Sequence, residues 1–259
     1  MKHNATNPGE ASGGVGPKVA PERGGILGVV LARAGSRGLP GKALRPLLGK
    51  PVIAYAFAHA LAARRLDRVV VSSDDQQVLT LAAYHGLSTV VRPPELCSDT
   101  AATDPALRHA VNMLRRRDDY NPRIVVMLYG NVPLRKHGMI DRAVEMLEQS
   151  DFDSVQTVAP VGKMHPYWMF QRAADGKINK YIPNNIYRRQ DLPPLFSPTG
   201  AVYAMRTETL MAAEGAADPH AFLGARRGAL VVAPDDSVDI DTAHDLLVAE
   251  ALLKTEATV

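Results

Sequence analysis

The sequence predicts an α/β protein built on a doubly wound, mostly parallel β-sheet. Three observations predict it. Short runs rich in β-branched residues alternate with stretches carrying a helical apolar stripe over residues 25–150. The runs are apolar at consecutive positions, as strands covered on both faces require. A glycine-rich loop, residues 33–42, follows the first run directly. That is where open α/β sheets bind ligands, at the carboxyl ends of strands near the switch in winding.

Each element has a local reason. Ile26–Ala32 is almost wholly apolar and short, a buried strand. Pro51 suits the first helical position, and Val52–Ala63 carries an apolar stripe. Arg68–Ser72 reads as the second strand. Asp74 or Asp75 can cap the next helix, which runs through Tyr84 and stops at His85-Gly86. Leu87–Val91 is a third strand, ended by Pro93-Pro94. Thr103 or Asp104 starts a helix to about Arg117, Arg123–Leu128 is another buried strand, and Met139–Gln149 another helix. Crossovers between parallel strands should be right-handed. Ala201–Met205 and Leu230–Ala233 return as strands, and Thr242–Leu253 closes the chain as an amphipathic helix.

Residues 160–198 break the pattern, with six prolines, Trp168 and three tyrosines and no helical period. They read as an inserted arm of strands and loops. Aromatics and methionines on such an arm suit contact with another subunit; the alternative is a long surface excursion folded onto its own domain. Residues 1–24 are rich in Gly, Pro, Ala and polar residues and read as a flexible tail without the apolar core of a signal peptide. Residues 25–259 then form one domain.

Composition sets limits on partners. The net charge of +3 is too small to indicate a nucleic-acid partner. The basic run Arg115–Arg117 reads as a solvated helix end. Cys97 is the single cysteine, so no disulfide forms within the chain, which fits a reducing cytoplasm. No apolar run approaches the ~20 residues that span a bilayer.

The loop after the first strand, Arg33 to Lys42, is neither of the two common nucleotide loops. A Walker loop needs glycine where Ser36 stands and a hydroxyl where Ala43 stands, and Gly35, Gly38 and Gly41 are spaced wrongly for G-x-G-x-x-G. Its chemistry still suits phosphate. Glycines let backbone N–H groups approach an anion, and Arg33 and Lys42 bracket the loop with positive charge. On composition alone, a glycine-rich turn with solvated basic residues is an equal reading.

The order of residues goes further. RAGSRGLPGK followed by L-x-P-L-L-G-K-P, then VVVSSDD (69–75), RPPELCSDTAATD (92–104), RRQDLPP (188–194), GAVY (200–203) and VDIDTAHDL (238–246), resembles the acylneuraminate (CMP-sialic acid synthetase) type of cytidylyltransferase, related to the CMP-KDO synthetases. The resemblance spans about residues 26–250, in register. It implies a Rossmann-like, nucleotide-diphospho-sugar transferase-like fold with a dimerisation arm at 160–198. It implies transfer of CMP from CTP to the anomeric hydroxyl of a 3-deoxy-2-keto sugar acid, with Mg²⁺ and release of pyrophosphate.

The resemblance also implies roles for residues. Arg33 and Lys42 match the catalytic phosphate-contacting positions, with Ser36 in the nucleotide loop between them. Arg92, Ala101 and Thr103 match the cytosine readers. Asp239 and Asp241, two apart on an extended segment and so on one face, match the metal ligands; Asp241 is alternatively the cap of the following helix. Asp245 reads as solvent-facing. Arg189 and Gln190 match a sugar-carboxylate clamp that often serves the partner subunit, and Tyr203 matches a sugar-side aromatic. His165 is either a sugar contact or structural at a proline turn.

Three positions depart from the pattern. The loop usually ends Lys-Asn, but here Ala43 follows Lys42. Sialic-type members read L-Q-P-T-S-P-L-R after the fourth strand, whereas this chain has Leu128-Tyr129-Gly130-Asn131-Val132-Pro133-Leu134-Arg135, so Tyr129 replaces a sugar-contacting glutamine. Thr199 replaces the asparagine before GAVY. A buried polar group left unpaired costs about 1–3 kcal/mol, so these changes should alter the sugar accepted. Two rivals stay open: a nucleotidyltransferase of this fold with another sugar or NTP, and a non-catalytic nucleotide-binding relative.

Overall fold

The structure is a computed structural model and describes residues 24–35, 38–98 and 100–256. The expected tail (1–24) lies almost wholly outside the described residues, and Ser36 lies outside them too.

In chain order the strands are β1 (Ile26–Leu31), β2 (Pro46–Leu47), β3 (Lys50–Pro51), β4 (Arg68–Ser73), β5 (Ser88–Val91), β6 (Ile124–Tyr129), β7 (Ser154–Pro160), β8 (Phe170–Arg172), β9 (Ile178–Lys180), β10 (Phe196–Arg206) and β11 (Arg227–Val231). The helices are α1 (Val52–Ala62), α2 (Gln76–Tyr84), α3 (Thr103–Asp118), α4 (Met139–Glu148), α5 (Thr207–Ala212) and α6 (Ala243–Glu256). Seven strands form one sheet in the order β11-β7-β10-β6-β1-β4-β5. β1 pairs in parallel with β4 and β6, whereas β10 runs antiparallel to both β6 and β7.

The sheet is a middle layer because its strands are apolar on both faces. Along β1, Ile26 and Val30 join one core with Ile53 and Phe57 of α1 and Val144 of α4. Leu27, Val29 and Leu31 join the other with Leu107 and Val111 of α3 and Leu210 of α5. This follows from the two-residue alternation of side chains along a strand. A third cluster, holding Leu39, Leu47, Val52, Leu134, Ile240 and Ala249, packs α6 over the loops beyond β1.

Element by element, the structure moves several expected bounds. Pro51 is the N-cap of α1 rather than its first residue. Asp75 caps α2, accepting the Gln77 N–H at 2.9 Å, and Asp74 does not. The strand expected at Leu230–Ala233 is β11, displaced to Arg227–Val231 by its register against β7. The mixed run SVQTVAP of β7 and the six-residue α5 were not anticipated.

Residues 161–195, between β7 and β10, extend from the sheet where Phe196 pairs with Pro160. They hold the β8–β9 hairpin and bonds of their own: the Trp168 indole donates to the Ile186 carbonyl at 3.1 Å. Tyr187, Met164, Ile178 and Phe170 are exposed there.

Candidate active site

β1 lies between β4 and β6. The chain builds outward through β4 to β5, then returns to lay β6 on the other side of β1. The loops after β1 and β6 therefore diverge, and a cavity of about 260 Å³ opens between them. Arg33, Lys42, Arg92, Ala101, Thr103, Tyr129, Asp239 and Asp241 all line it. Residues from both ends of the chain thus meet in one place.

The glycines of the loop have specific tasks. A Cβ on Gly38 would lie 2.4 Å from the Asp241 carbonyl oxygen, so only glycine permits that approach. Gly41 takes φ 66°, which turns the chain into the short helical turn Lys42–Leu44. Lys42 Nζ then stands 2.7 Å from Asp241 Oδ1. Arg33 donates from Nη1 to the Ser98 carbonyl at 2.9 Å, tying the loop after β1 to the segment after β5. Ala43, where the resemblance leads one to expect asparagine, is buried in the core and offers the cavity no polar side chain.

The base-side residues are held from behind. Arg92 is buried and donates from Nη2 to the Ser72 carbonyl at 2.6 Å and from Nε to Ser72 Oγ at 3.2 Å. Burial lowers its pKa, with the neighbouring charges of Cys97 and Asp74 opposing. Thr103 opens α3 without any side-chain cap at Ala102, and its hydroxyl meets the Tyr129 phenol.

The acidic couplet follows strand alternation. Ile240 is fully buried in the third core cluster, while Asp239 and Asp241 on either side turn to the cavity. Asn131 fastens this segment: its backbone pairs with Ile240, and its amide donates to Asp239 and to the Ile240 carbonyl. Loss of hydration raises the Asp239 carboxyl to about 6, reinforced by the charge of Asp241 and opposed by Lys42. Asp241 does not cap α6. Thr242 and Asp245 do so reciprocally: Asp245 Oδ2 accepts the Thr242 N–H at 2.7 Å and Thr242 Oγ1 accepts the Asp245 N–H at 3.3 Å. Asp245, half-exposed, thus also has a capping role, and this leaves both couplet carboxylates to the cavity.

Tyr129 and Tyr203 meet edge to face, centroids 6.1 Å apart, between this cavity and an adjoining one of about 310 Å³. Burial raises both phenols, Tyr203 to about 12. Gln156, His220 and Phe222 line the second cavity. Thr199 bonds to Thr157 Oγ1 at 2.8 Å, behind the strand. Arg189 and Gln190 sit on the arm, exposed, and do not line either cavity. His165 is structural: its ring accepts the Tyr167 N–H and bonds to the Pro193 carbonyl.

Three participants escaped the sequence reading. In the sequence Asn131 stands only in the divergent loop after the fourth strand, and Asp74 only as one of two possible caps. Arg135 is buried and donates to the carbonyls of Ala201, Val132 and Tyr129, clasping that loop to β10.

A family model described as cytidylyltransferase matches residues 27–212. The chain belongs to the cytidylyltransferase family. Among relatives, the N-acylneuraminate cytidylyltransferase of Streptococcus agalactiae serotype V is 31% identical over 222 residues, 85% of this chain and 51% of the relative. The chain thus spans about half the length of the streptococcal relatives. The CMP-N,N'-diacetyllegionaminic acid synthase of Legionella pneumophila is 28% identical over 235 residues, 88% of this chain and 96% of that one. The pseudaminic acid cytidylyltransferase of Campylobacter jejuni is 27% identical with the same coverage. Among solved structures, a CMP:2-keto-3-deoxy-manno-octonic acid synthetase complexed with CTP superposes with TM-score 0.68 at 19% identity, covering 90% of this chain and 99% of that one. This last likeness establishes the shared cytidylyltransferase fold. No helix among the described residues is long and apolar enough to cross a membrane.

Proposed function

We propose that this chain transfers CMP from CTP to the anomeric hydroxyl of a sialic or other nonulosonic acid, releasing pyrophosphate. The observation that carries the reading is the convergence of Arg33, Lys42, Arg92, Thr103, Asp239 and Asp241 on one cavity at the switch point. In the reaction a bond forms from the anomeric oxygen to the α-phosphorus as the bond to the pyrophosphate oxygen breaks, and the hydroxyl proton passes to water. Such transfer depends on positioning and on charge stabilisation rather than covalent catalysis.

Arg33 and Lys42 neutralise the β- and γ-phosphates as charge builds on the leaving group. Arg92, with Ala101 and Thr103, reads cytosine; the bonds to Ser72 aim its guanidinium and limit its motion. Asp239 and Asp241 would hold Mg²⁺. Two carboxylates facing one cavity, with Asn131 behind one of them, are a hard-oxygen donor set that fits this ion, whose remaining ligands are water and phosphate. Magnesium, when bound, supplies charge neutralisation along the triphosphate. No group of three or more His, Cys, Asp or Glu side chains converges among the described residues, and water and phosphate oxygens would fill the remaining positions.

The acceptor occupies the adjoining cavity walled by Tyr129 and Tyr203. Arg189 and Gln190 serve the site of a second subunit, reached by the arm, and the exposed Tyr187, Ile178 and Phe170 support a homodimer. A cytoplasmic setting accords with the unpaired Cys97.

The test is pyrophosphate release with CTP, Mg²⁺ and a panel of nonulosonic acids, with other NTPs as controls. Release with CTP and one such acid is the expected result. Release with UTP or ATP alone would overturn the base assignment, and no release with any pair would overturn the activity.

A further inference from the structure

We infer that Asp74 is a positioning residue that locks the phosphate loop against the base-reading segment, an inference that rests on the function proposed above. β4 lies between β1 and β5. The residue just beyond β4 therefore stands between the loops that follow those two strands, one carrying Arg33 and the other Arg92.

The ladder explains why a side chain is needed there. In the parallel pairing of β1 with β4, alternate residues of β1 donate to β4, and the series runs one step past the strand: the Ala32 N–H reaches the Ser72 carbonyl at 3.2 Å. Ala34 is the next donor in the series. The β4 backbone has by then left the sheet to enter α2, so no carbonyl awaits it. Asp74 Oδ1 accepts the Ala34 N–H instead, at 2.9 Å. A carboxylate thus replaces a missing ladder acceptor and holds the chain next to Arg33. On its other side, the Cys97 thiol and the Arg92 charge both interact with Asp74. The Arg92 N–H itself bonds to the Ser73 carbonyl at 2.8 Å, and Arg33 to that of Ser98.

The two neighbouring aspartates divide the work. Asp75 caps α2 through the Gln77 N–H, so Asp74 has no part in starting the helix. Asp74 is exposed and adds little to the core. It also brings negative charge close to where a triphosphate would lie, a cost at a phosphate site that its bond to the loop offsets.

The experiment compares the full-length protein with Asp74→Ala and Asp74→Asn, since asparagine keeps the acceptor and drops the charge. Hydrogen exchange at Ala34 and calorimetric CTP binding are read together, with melting temperature as the folding control. We expect Asp74→Ala to exchange faster at Ala34 and to bind CTP about tenfold more weakly, the worth of one hydrogen bond to a charged group. Asp74→Asn should restore both, and neither variant should melt more than about 5 °C below the parent, the shift that about 1.4 kcal/mol implies. Unchanged exchange at Ala34 in Asp74→Ala would overturn the inference, and so would faster exchange with unaltered CTP binding. Equal loss in both variants would overturn it as well, by assigning the effect to charge. Failure of the wild-type protein to bind CTP would strike the proposed function separately, with exchange still deciding whether Asp74 orders the loop.

Discussion

Lys42 and Asp241 stand 199 positions apart in the chain and meet at 2.7 Å across the mouth of the cavity. Asp241 is 67% exposed, and so this pair contributes little to stability; exposed ion pairs give about 0–1 kcal/mol. Its meaning is geometric. The cation that ends the phosphate loop and the outer carboxylate of the couplet are held at the same spot, where a bound triphosphate and its metal ion can take each as a partner.

Replacing Lys42 with Met should therefore separate activity from stability. The urea midpoint should correspond to a change within about 1 kcal/mol. Turnover should fall by about 10²–10³, the usual loss when one preorganised donor to a developing charge is removed. Parallel denaturation and steady-state kinetics check this, and a large stability loss with intact turnover would contradict it.

Gly38 and Gly35 offer a paired test within one loop. A methyl group at Gly38 would strike the Asp241 carbonyl, whereas one at Gly35 meets nothing within 4 Å. Gly38→Ala should force the loop away from the couplet, costing about 1–3 kcal/mol of stability and raising the KM for CTP. Gly35→Ala should stay within about 0.5 kcal/mol of the parent. Equal effects would show that the loop does not rest on the Asp241 segment.

What the sequence revealed follows from how local each cause is. β1, β4 and β6 were legible because burial on both faces demands short apolar runs, here rich in β-branched residues. β7, with its mixed run SVQTVAP, gains its pairing from β10 and β11 and has little signal of its own. The loop and the couplet were legible through the order of residues that resembles the acylneuraminate type, since composition alone leaves the loop an equal reading as a solvated turn. Asn131 meets Asp239 across 108 positions and Arg135 meets Ala201 across 66, so their roles exist only once the sheet has formed. Asp74 was masked by the more familiar capping role that its neighbour performs.

His59 and Asp239 should shape stability in acid in opposite senses. Burial, with Arg135 adding to it, lowers His59 from 6.5 to about 4. Between those values the unfolded chain holds a proton that the folded chain does not, so stability falls as pH falls, by at most about 1.4 kcal/mol per unit. Asp239 is raised from 3.8 to about 6, so over that range the folded chain holds the extra proton and stability falls as pH rises. The Asp239 interval, 3.8 to about 6, is slightly narrower than that of His59, so the His59 effect prevails. In chelator, the parent should lose stability gently from pH 6 to 4, Asp239→Asn more steeply, and His59→Gln should reverse the trend. Denaturant midpoints across that range check the signs.

Tyr129 should govern the acceptor rather than the nucleotide. Its ring meets Tyr203 edge to face and forms the wall between the two cavities, while its phenol reaches Thr103. Tyr129→Phe keeps the wall and removes only the bond to Thr103, so the KM for CTP should rise a few-fold, as a bond of about 1 kcal/mol implies, with the preference among sugar acids unchanged. Tyr129→Gln removes the wall and restores the amide of the sialic-type loop. The ratio of kcat/KM for N-acetylneuraminate over other nonulosonic acids should then rise about tenfold, the worth of one added hydrogen bond near 1.4 kcal/mol. Competition between two acids in one reaction measures that ratio directly. An unchanged ratio in Tyr129→Gln would remove Tyr129 and the second cavity from acceptor selection.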